Sequence, residues 1–388
     1  MFTLAVAKGA RLIRFALGAG ALAVAMACTP IAMNTGSGGG TVKVALLVPT
    51  GSGQAGDEVL GQSLEAAARL AIADLNDTTI ELMVYPTAGQ PAQAAAMAKK
   101  AVAEGAQVIL GPVFAQEANA AGVAVAGSGV NVLAFSNNPD IAGNNVFILG
   151  PTFQNTAERL TSYAARTGRS KVMIASDRNI AGRLGADAIR RGALIAGANV
   201  VATADYEFSQ NGIVSAAPSI AATAKSTGAQ ALFLTADTAG ALPLLSQLLM
   251  DNGLRGANVQ FVGLTRWDIP SATLALPGIQ GGLFALPDPG RYNEFVARYQ
   301  TANGQPPHPI AALAYDGIAA LGALAATETG GPISRLGLTQ PSGFVGVNGI
   351  FRLLADGTNQ RGLAVAQVQN GATVVLESAP TVFGAAGF

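Results

Sequence analysis

The sequence predicts an α/β protein of two lobes, each a parallel sheet with helices on both faces. Three observations carry that expectation. Short runs dense in Val, Ile and Leu alternate with longer amphipathic stretches. The short runs are nearly continuous in apolar residues, as strands covered on both sides are. Roughly 345 residues follow position 41, more than the ~250–300 at which a single core usually divides.

Residues 43–48 form the first such run and stop at Pro49 and Gly51. Behind it Leu60, Leu64, Ala67, Ala71 and Leu75 recur at helical spacing, with Glu65, Arg69 and Asp74 left for the wet side. Strand 80–85, helix 92–104, strand 107–110, helix 116–126 and strand 130–134 continue the alternation. A second series follows in helix 155–167, strand 171–176, helix 183–196, strand 199–206, helix 215–226, strand 231–234, helix 240–252 and strand 259–262. Strands joined through helices in this way make parallel sheets with right-handed crossovers.

The amino-terminal stretch reads as an export signal. Lys8, Arg11 and Arg14 precede an apolar segment, residues 15–25, too short to span ~30 Å of hydrocarbon, and small Ala27 precedes Cys28, the only cysteine. The quartet Ala25-Met26-Ala27-Cys28 resembles a lipobox, although Ala25 stands where Leu is usual. The expectation is a signal peptide over 1–27, acylation of Cys28 and a flexible Gly/Ser/Thr/Asn-rich tether over 28–41, so that the membrane is met through a lipid. The mature chain then has no disulfide to lean on, and burial must hold it together. Without the three basic residues of the signal, 20 basic side chains face 23 acidic ones, a net charge of −3. A nucleic-acid partner would want a basic face, and none is expected.

Ligands of open α/β sheets lie beyond the carboxyl ends of the strands, so two facing lobes create a cleft lined by strand-end loops. Those loops are 49–57, 111–116, 135–139, 177–182, 236–239 and 264–268. Gly51, Gly53 and Gly56 with Asp57 mimic a phosphate loop, but the Lys-Ser/Thr ending is missing; Asp57 is expected instead to cap the following helix. His308, the sole histidine, sits in Pro306-Pro307-His308-Pro309 without a nucleophile elbow or a metal-ligand cluster. It reads as a surface residue ahead of a helix, and no catalysis, metal or cofactor is expected. Trp267 offers either a stacking wall, a partner anchor or lobe packing. Asp237 offers a partner for a ligand ammonium or a cap for helix 240–252. Arg183, Arg190 and Arg191 with Asp187 fit a solvated helix face, with Arg183 near enough to the cleft to meet an anion.

Val44-Ala45-Leu46-Leu47-Val48-Pro49 with Gly51 and Gly61, then Gly111-Pro112-Val113, Asn138-Pro139, Gly182 with Gly185, and Phe295 through Tyr315-Asp316 together resemble the leucine-binding kind of type I periplasmic binding protein. The resemblance covers nearly the whole mature chain. It implies a two-lobed Venus-flytrap fold whose chain crosses between lobes three times, near Gly150, Phe284 and Gly330. The lobes would then be 42–149 plus 284–330, and 150–283 plus 331–388, with strands from 349–352 and 362–368 returning to the second. Amino-acid-binding members hold their substrate with a small hydroxyl residue after Gly-Pro, an Ala-Thr pair before Asn-Pro and a Tyr before the second-lobe Gly. Here those places carry Val113-Phe114-Ala115-Gln116, Ser136-Asn137 and Ile180-Ala181. Loop position and resemblance together make Ser52, Ala115, Gln116, Phe135, Ser136, Asn137, Arg183, Asp237 and Trp267 the candidate ligand contacts.

The stretch from 147–151 through Ala181-Gly182-Arg183 to Ala202, and 264–268 before Leu283-Phe284, also resemble the penicillin-binding protein activators, non-catalytic lipoproteins that regulate peptidoglycan synthases. That resemblance implies a penicillin-binding protein as partner, and Thr29 after the acylated Cys28 favours the outer membrane. The alternative is the lipoprotein subunit of an ABC importer, partnered with its permease and carrying an amino-acid-like or amide-bearing solute held by Ser136, Asn137 and Asp237.

Overall fold

The computed structural model describes residues 41–76, 78–256, 258–325, 328 and 331–384. Cys28, the signal segment, all but the last residue of the tether and the crossing expected at Gly330 lie outside them. Among the described residues no helix is long and apolar enough to cross a membrane.

The first lobe opens with β1 (Val42–Val48), α1 (Ala55–Ala73), β2 (Ile80–Pro86), α2 (Pro91–Ala103), β3 (Val108–Leu110), α3 (Ala115–Val125), β4 (Asn131–Ala134) and β5 (Val146–Ile148). Its five strands are all parallel, in the order β2-β1-β3-β4-β5. Along β1 the side chains alternate between two cores. Val44, Leu46 and Val48 face α1, while Ala45 and Leu47 face α2 and α3. That is why the run is apolar throughout rather than every second residue.

The second lobe follows with α4 (Phe153–Arg166), β6 (Lys171–Asp177), α5 (Ile180–Ile195), β7 (Asn199–Tyr206), α6 (Gln210–Ser226), β8 (Ala231–Leu234), α7 (Leu242–Asp251), β9 (Gln260–Gly263) and β10 (Leu283–Leu286). Again the faces alternate: Val172, Ile174 and Phe233 pack toward α4 and α5, whereas Met173, Ala175, Leu232 and Leu234 pack toward α6 and α7. The chain returns to the first lobe in α8 (Pro289–Asn303) and α9 (Ala312–Ala325), the latter against α1, and runs on through α10 (Arg335–Leu338), β11 (Phe344–Gly346), β12 (Gly349–Leu353) and β13 (Asn359–Arg361). Finally β14 (Ala364–Gln369) and β15 (Ala372–Glu377) join the second sheet. They pair antiparallel, giving the order β15-β14-β10-β9-β8-β6-β7 and breaking the all-parallel expectation at one edge.

Two crossings differ from those expected. Phe284 lies inside β10 in the second core, so the chain leaves that lobe only after Leu286. Residues 333–353 do not return to the second sheet: Ile333, Leu338, Phe344, Phe351 and Leu353 pack in the first core, and β11-β12-β13 form a separate small sheet. The last crossing is thus at Gly362–Leu363. Two crossing glycines have no room for a side chain. A Cβ on Gly150 would lie 2.5 Å from the Ser136 carbonyl oxygen, and one on Gly362 2.8 Å from that of Pro380.

The crossings are tied together by one buried polar network. Asp316 on α9, wholly inaccessible, accepts from the Val347 amide (2.8 Å), the Asn348 side chain (2.9 Å) and Arg361 Nη1 (3.2 Å). Arg361 on β13 also donates to the Leu149 carbonyl, and its guanidinium lies 5.0 Å over the Phe351 ring. Beside it Asn359 Nδ2 donates to the carbonyls of Ile148 (2.7 Å) and Gly150 (2.9 Å). The Asn348 carbonyl accepts from the Asp288 amide where the second crossing ends (3.3 Å). Burial raises the Asp316 pKa and lowers that of Arg361, and each charge opposes the shift of the other.

Removing one charge leaves its partner desolvated. Asp316→Asn should therefore cost about 3–5 kcal/mol of unfolding free energy, whereas Asp316→Leu combined with Arg361→Met should recover much of it. Urea unfolding of the two variants checks this; equal losses would show that the pair is not coupled.

Candidate functional site

The carboxyl ends of β4, β9 and β10 lead into residues that line one cavity. In the first lobe three loops converge. At Gly89, whose φ of +66° suits glycine, an added Cβ would lie 3.6 Å from Asp57 Oδ2, 3.7 Å from Ser52 Cβ and 3.8 Å from the Phe114 ring. Ser52 accepts from the Gln54 amide (3.1 Å), and Ala115 and Gln116 occupy the first turn of α3 beside exposed Phe114. Asp57 does not cap α1: Gln54 is the cap residue and Asp57 lies in the first turn with Glu58, where its charge suits the helix dipole.

Beneath these loops Glu117 is wholly buried, and neither carboxylate oxygen has a hydrogen bond of ordinary geometry among the described residues. Burial raises its pKa, outweighing the nearby Thr87 hydroxyl and Phe114 amide that favour the charge, and Asp57 raises it further. The Thr87 hydroxyl itself donates to the Val48 carbonyl (3.1 Å).

On the second lobe the ends of β6, β7 and β8 are locked by Asp177. Its Oδ1 accepts from the Thr235 hydroxyl (2.5 Å) and from Tyr206 (3.1 Å), and Oδ2 from Asn179 (3.3 Å). Asn179 in turn caps α5 by accepting from the Gly182 amide (2.7 Å). Burial first, and then the Asp177 charge, push the Tyr206 phenol well above its ordinary pKa. Arg183 and Asp237 are exposed on this rim. Asp237 does not cap α7, which begins at Leu242 after Ala241 with no side-chain cap.

A cavity of about 280 Å³ lies where the lobes and all three crossings meet, near the lower end of the ~300–1,000 Å³ typical of small-molecule sites. Its walls come from Asn137 after β4, from Pro151 to Phe153 and Thr156 at the start of α4, and from Leu264, Thr265, Arg266 and Ile269 after β9. Ala285 to Pro287, Tyr292 on α8, Pro309, Ile310 and Leu313 at the start of α9, and Asn348, Arg361 and Leu363 complete it. The lining is mostly apolar. Arg266 is held in a bidentate pair with Asp268 (2.6 and 2.5 Å), and the Thr265 hydroxyl is buried without a partner among the described residues.

Of the expected contacts only Asn137 lines this cavity. Ser136 is buried, its hydroxyl accepting from the Asn138 amide (3.1 Å). Phe135 is 3 % exposed and packs in the first core beside Gly111, so it is not a cleft wall. Trp267 is 0 % exposed in the second core, 6.3 Å from Phe284, and is neither a stacking surface nor a partner anchor. Sequence reasoning misses Thr265, Arg266, Tyr292 and Ile310. Strand-end position does mark the loop 264–268, but the size of its aromatic residue outweighs there the two polar neighbours that line the cavity. His308 is half-buried rather than on the surface, its Nδ1 accepting from the Ile310 amide (3.4 Å) and its own amide donating to Ser63 (2.8 Å). Arg190 pairs with Asp187 (2.6 Å), as a solvated helix face would.

The sequence matches the family of periplasmic binding proteins over residues 41–373, and the chain belongs to that family. In fold it is similar to a putative branched-chain amino acid ABC transporter protein from Rhodospirillum rubrum (TM-score 0.73, 18 % identity, covering 87 % of this chain and 99 % of the other). It is also similar to an ABC transporter substrate-binding protein from Desulfitobacterium hafniense in complex with Leu (0.65, 20 %, 87 % and 100 %). A third is the solute-binding protein of an ABC transporter from Rhodopseudomonas palustris in complex with 3,4-dihydroxybenzoic acid (0.59, 18 %, 88 % and 98 %). At these identities the likeness shows the two-lobed type I fold. No curated protein matches the chain.

The buried Glu117 yields a pH dependence. A carboxyl whose folded-state pKa is raised contributes stability that is fully present below its ordinary value and lost as pH rises through the raised one. The urea midpoint of the wild type should therefore fall as pH rises above the ordinary carboxylate range, and Glu117→Gln should flatten that fall. A variant that declines as steeply as the wild type would place the titration elsewhere.

Proposed function

We propose that the protein is the solute-binding component of an ABC importer, acting in the periplasm by binding and not by catalysis. The observation that carries this reading is the partly open cavity at the junction of two lobes and three crossings, where closure of the lobes would change the exposure of a bound molecule. Membership of the periplasmic binding proteins supports it, as does a fold shared with solute-binding subunits of transporters. Lobe closure around the solute would be what the permease reads.

The segment 264–268, which carries the resemblance to the peptidoglycan-synthase activators, turns Thr265 and Arg266 into the cavity and Trp267 into the core. That arrangement serves a ligand and leaves no exposed aromatic anchor within this segment, which favours the importer. Anchoring through an acylated Cys28 belongs to the same proposal, residues 29–41 then spanning the gap between lipid and lobes. Although Thr29 favours outer-membrane sorting, a subunit that delivers to a permease works at the inner membrane, and fractionation of the envelope decides between them.

A solute at one hundred times its dissociation constant should stabilise the wild type by ~2.7 kcal/mol and compact it in solution scattering. Ile310→Trp, which fills the cavity, should abolish both responses while leaving the unliganded protein folded. A wild type indifferent to amino acids, carboxylates and cell-wall fragments alike would remove the importer reading.

A further inference from the structure

We infer that the cavity takes a small, mostly apolar carboxylate and rejects zwitterionic amino acids; this deepens the solute-binding reading and rests on it. The charged side chains that line the cavity, Arg266 and Arg361, are donors only, and the other polar ones are hydroxyls and amides that can donate as well as accept. Arg266 gives Nε and one Nη2 hydrogen to Asp268, which leaves its Nη1 edge for another acceptor. The Thr265 hydroxyl is buried and unpartnered, and among the described residues the Tyr292 hydroxyl has no hydrogen bond. The other guanidinium in the wall, that of Arg361, is already committed to Asp316 and the Leu149 carbonyl.

Helix α4 adds to this bias: its first turn borders the cavity and presents the positive end of its dipole to it. The start of α8 also borders the cavity, but there the Asp288 carboxylate accepts from the Gly290 and Arg291 amides and offsets the dipole. Among the described residues no aspartate or glutamate lines the cavity, and Asp268 sits behind Arg266 with both oxygens engaged. An ammonium group brought in would lose its water without gaining an anion, a costly transfer. A carboxylate would instead meet Arg266 Nη1 and the two free hydroxyls. Leu264, Ile310 and Leu313 suit a branched or aromatic body of about ten heavy atoms in a space of this size.

Calorimetry with isocaproate, isocaproamide, leucine and isohexylamine separates the contributions, because the four share a branched apolar tail and differ in charge; benzoate supplies an aromatic arm. Isocaproate or benzoate should bind roughly tenfold to a hundredfold more tightly than the neutral amide and than leucine, the range expected of hydrogen bonds to a charged group. Arg266→Gln should remove that preference, Arg266→Lys should keep part of it, and Tyr292→Phe should weaken the acids alone. Leucine or the amine binding as well as isocaproate would overturn the ligand class while leaving the solute-binding reading intact. The ligand class falls equally if Arg266→Gln binds the acids like the wild type. Failure of every compound class to bind would sink both.

Discussion

The buried pair of Asp316 and Arg361 is the constraint on which the two-lobed arrangement depends. Two charges out of water are tolerated only when every remaining donor and acceptor is met, and here backbone beside the first crossing and the turn between β11 and β12 meet that need. The Leu149 carbonyl, the Val347 amide and the Asn348 side chain all serve it. The network therefore fixes where one lobe ends. Because the loop between β12 and β13 also accepts from Ile148 at its Gly357 carbonyl (2.8 Å), that hairpin belongs to the first lobe. The chain passes to the second lobe only beyond it, at Gly150–Pro151, Pro287 and Gly362–Leu363.

Rigidity at the base contrasts with the character of the rims. On the second lobe Asp177 gathers Tyr206, Thr235 and Asn179 into a locked edge, so the ends of three strands and the start of α5 keep one geometry. On the first lobe the corresponding edge stands over the unpartnered carboxyl of Glu117. The second-lobe rim is built from satisfied polar groups, whereas the first-lobe rim stands over a carboxyl that carries a desolvation penalty. A donor-rich cavity between them needs both lobes to be complete.

The fold was legible because strands buried on both faces leave an unmistakable apolar signature, and the helices between them keep a 3.6-residue rhythm. The third crossing was not legible, since Ile350, Phe351 and Leu353 would suit either core equally well by hydrophobicity. What decides their place is the packing of Phe344 and Phe351 under α9, a contact between distant segments. For the site, the loops could be found and the side chains within them could not. Trp267 draws attention by size, yet size is also what makes a residue useful in a core, and Gly263 and Gly282 leave the space it fills. Tyr292 on α8, Leu313 on α9 and Ile310 in the turn before α9 reach the cavity from places that are not strand ends at all, so the rule that locates ligands beyond strands passes over them.

The order of the crossings has a consequence for how the molecule comes into being. The face of α1 carrying Leu64, Ala67 and Ala71 is covered by α9, a helix about 250 positions later. A chain emerging from its amino end therefore cannot close its first core until nearly all of it has appeared. Until then α1 alone covers that side of the five-stranded sheet, and the apolar face it will turn to α9 stays exposed to non-native contacts during the interval.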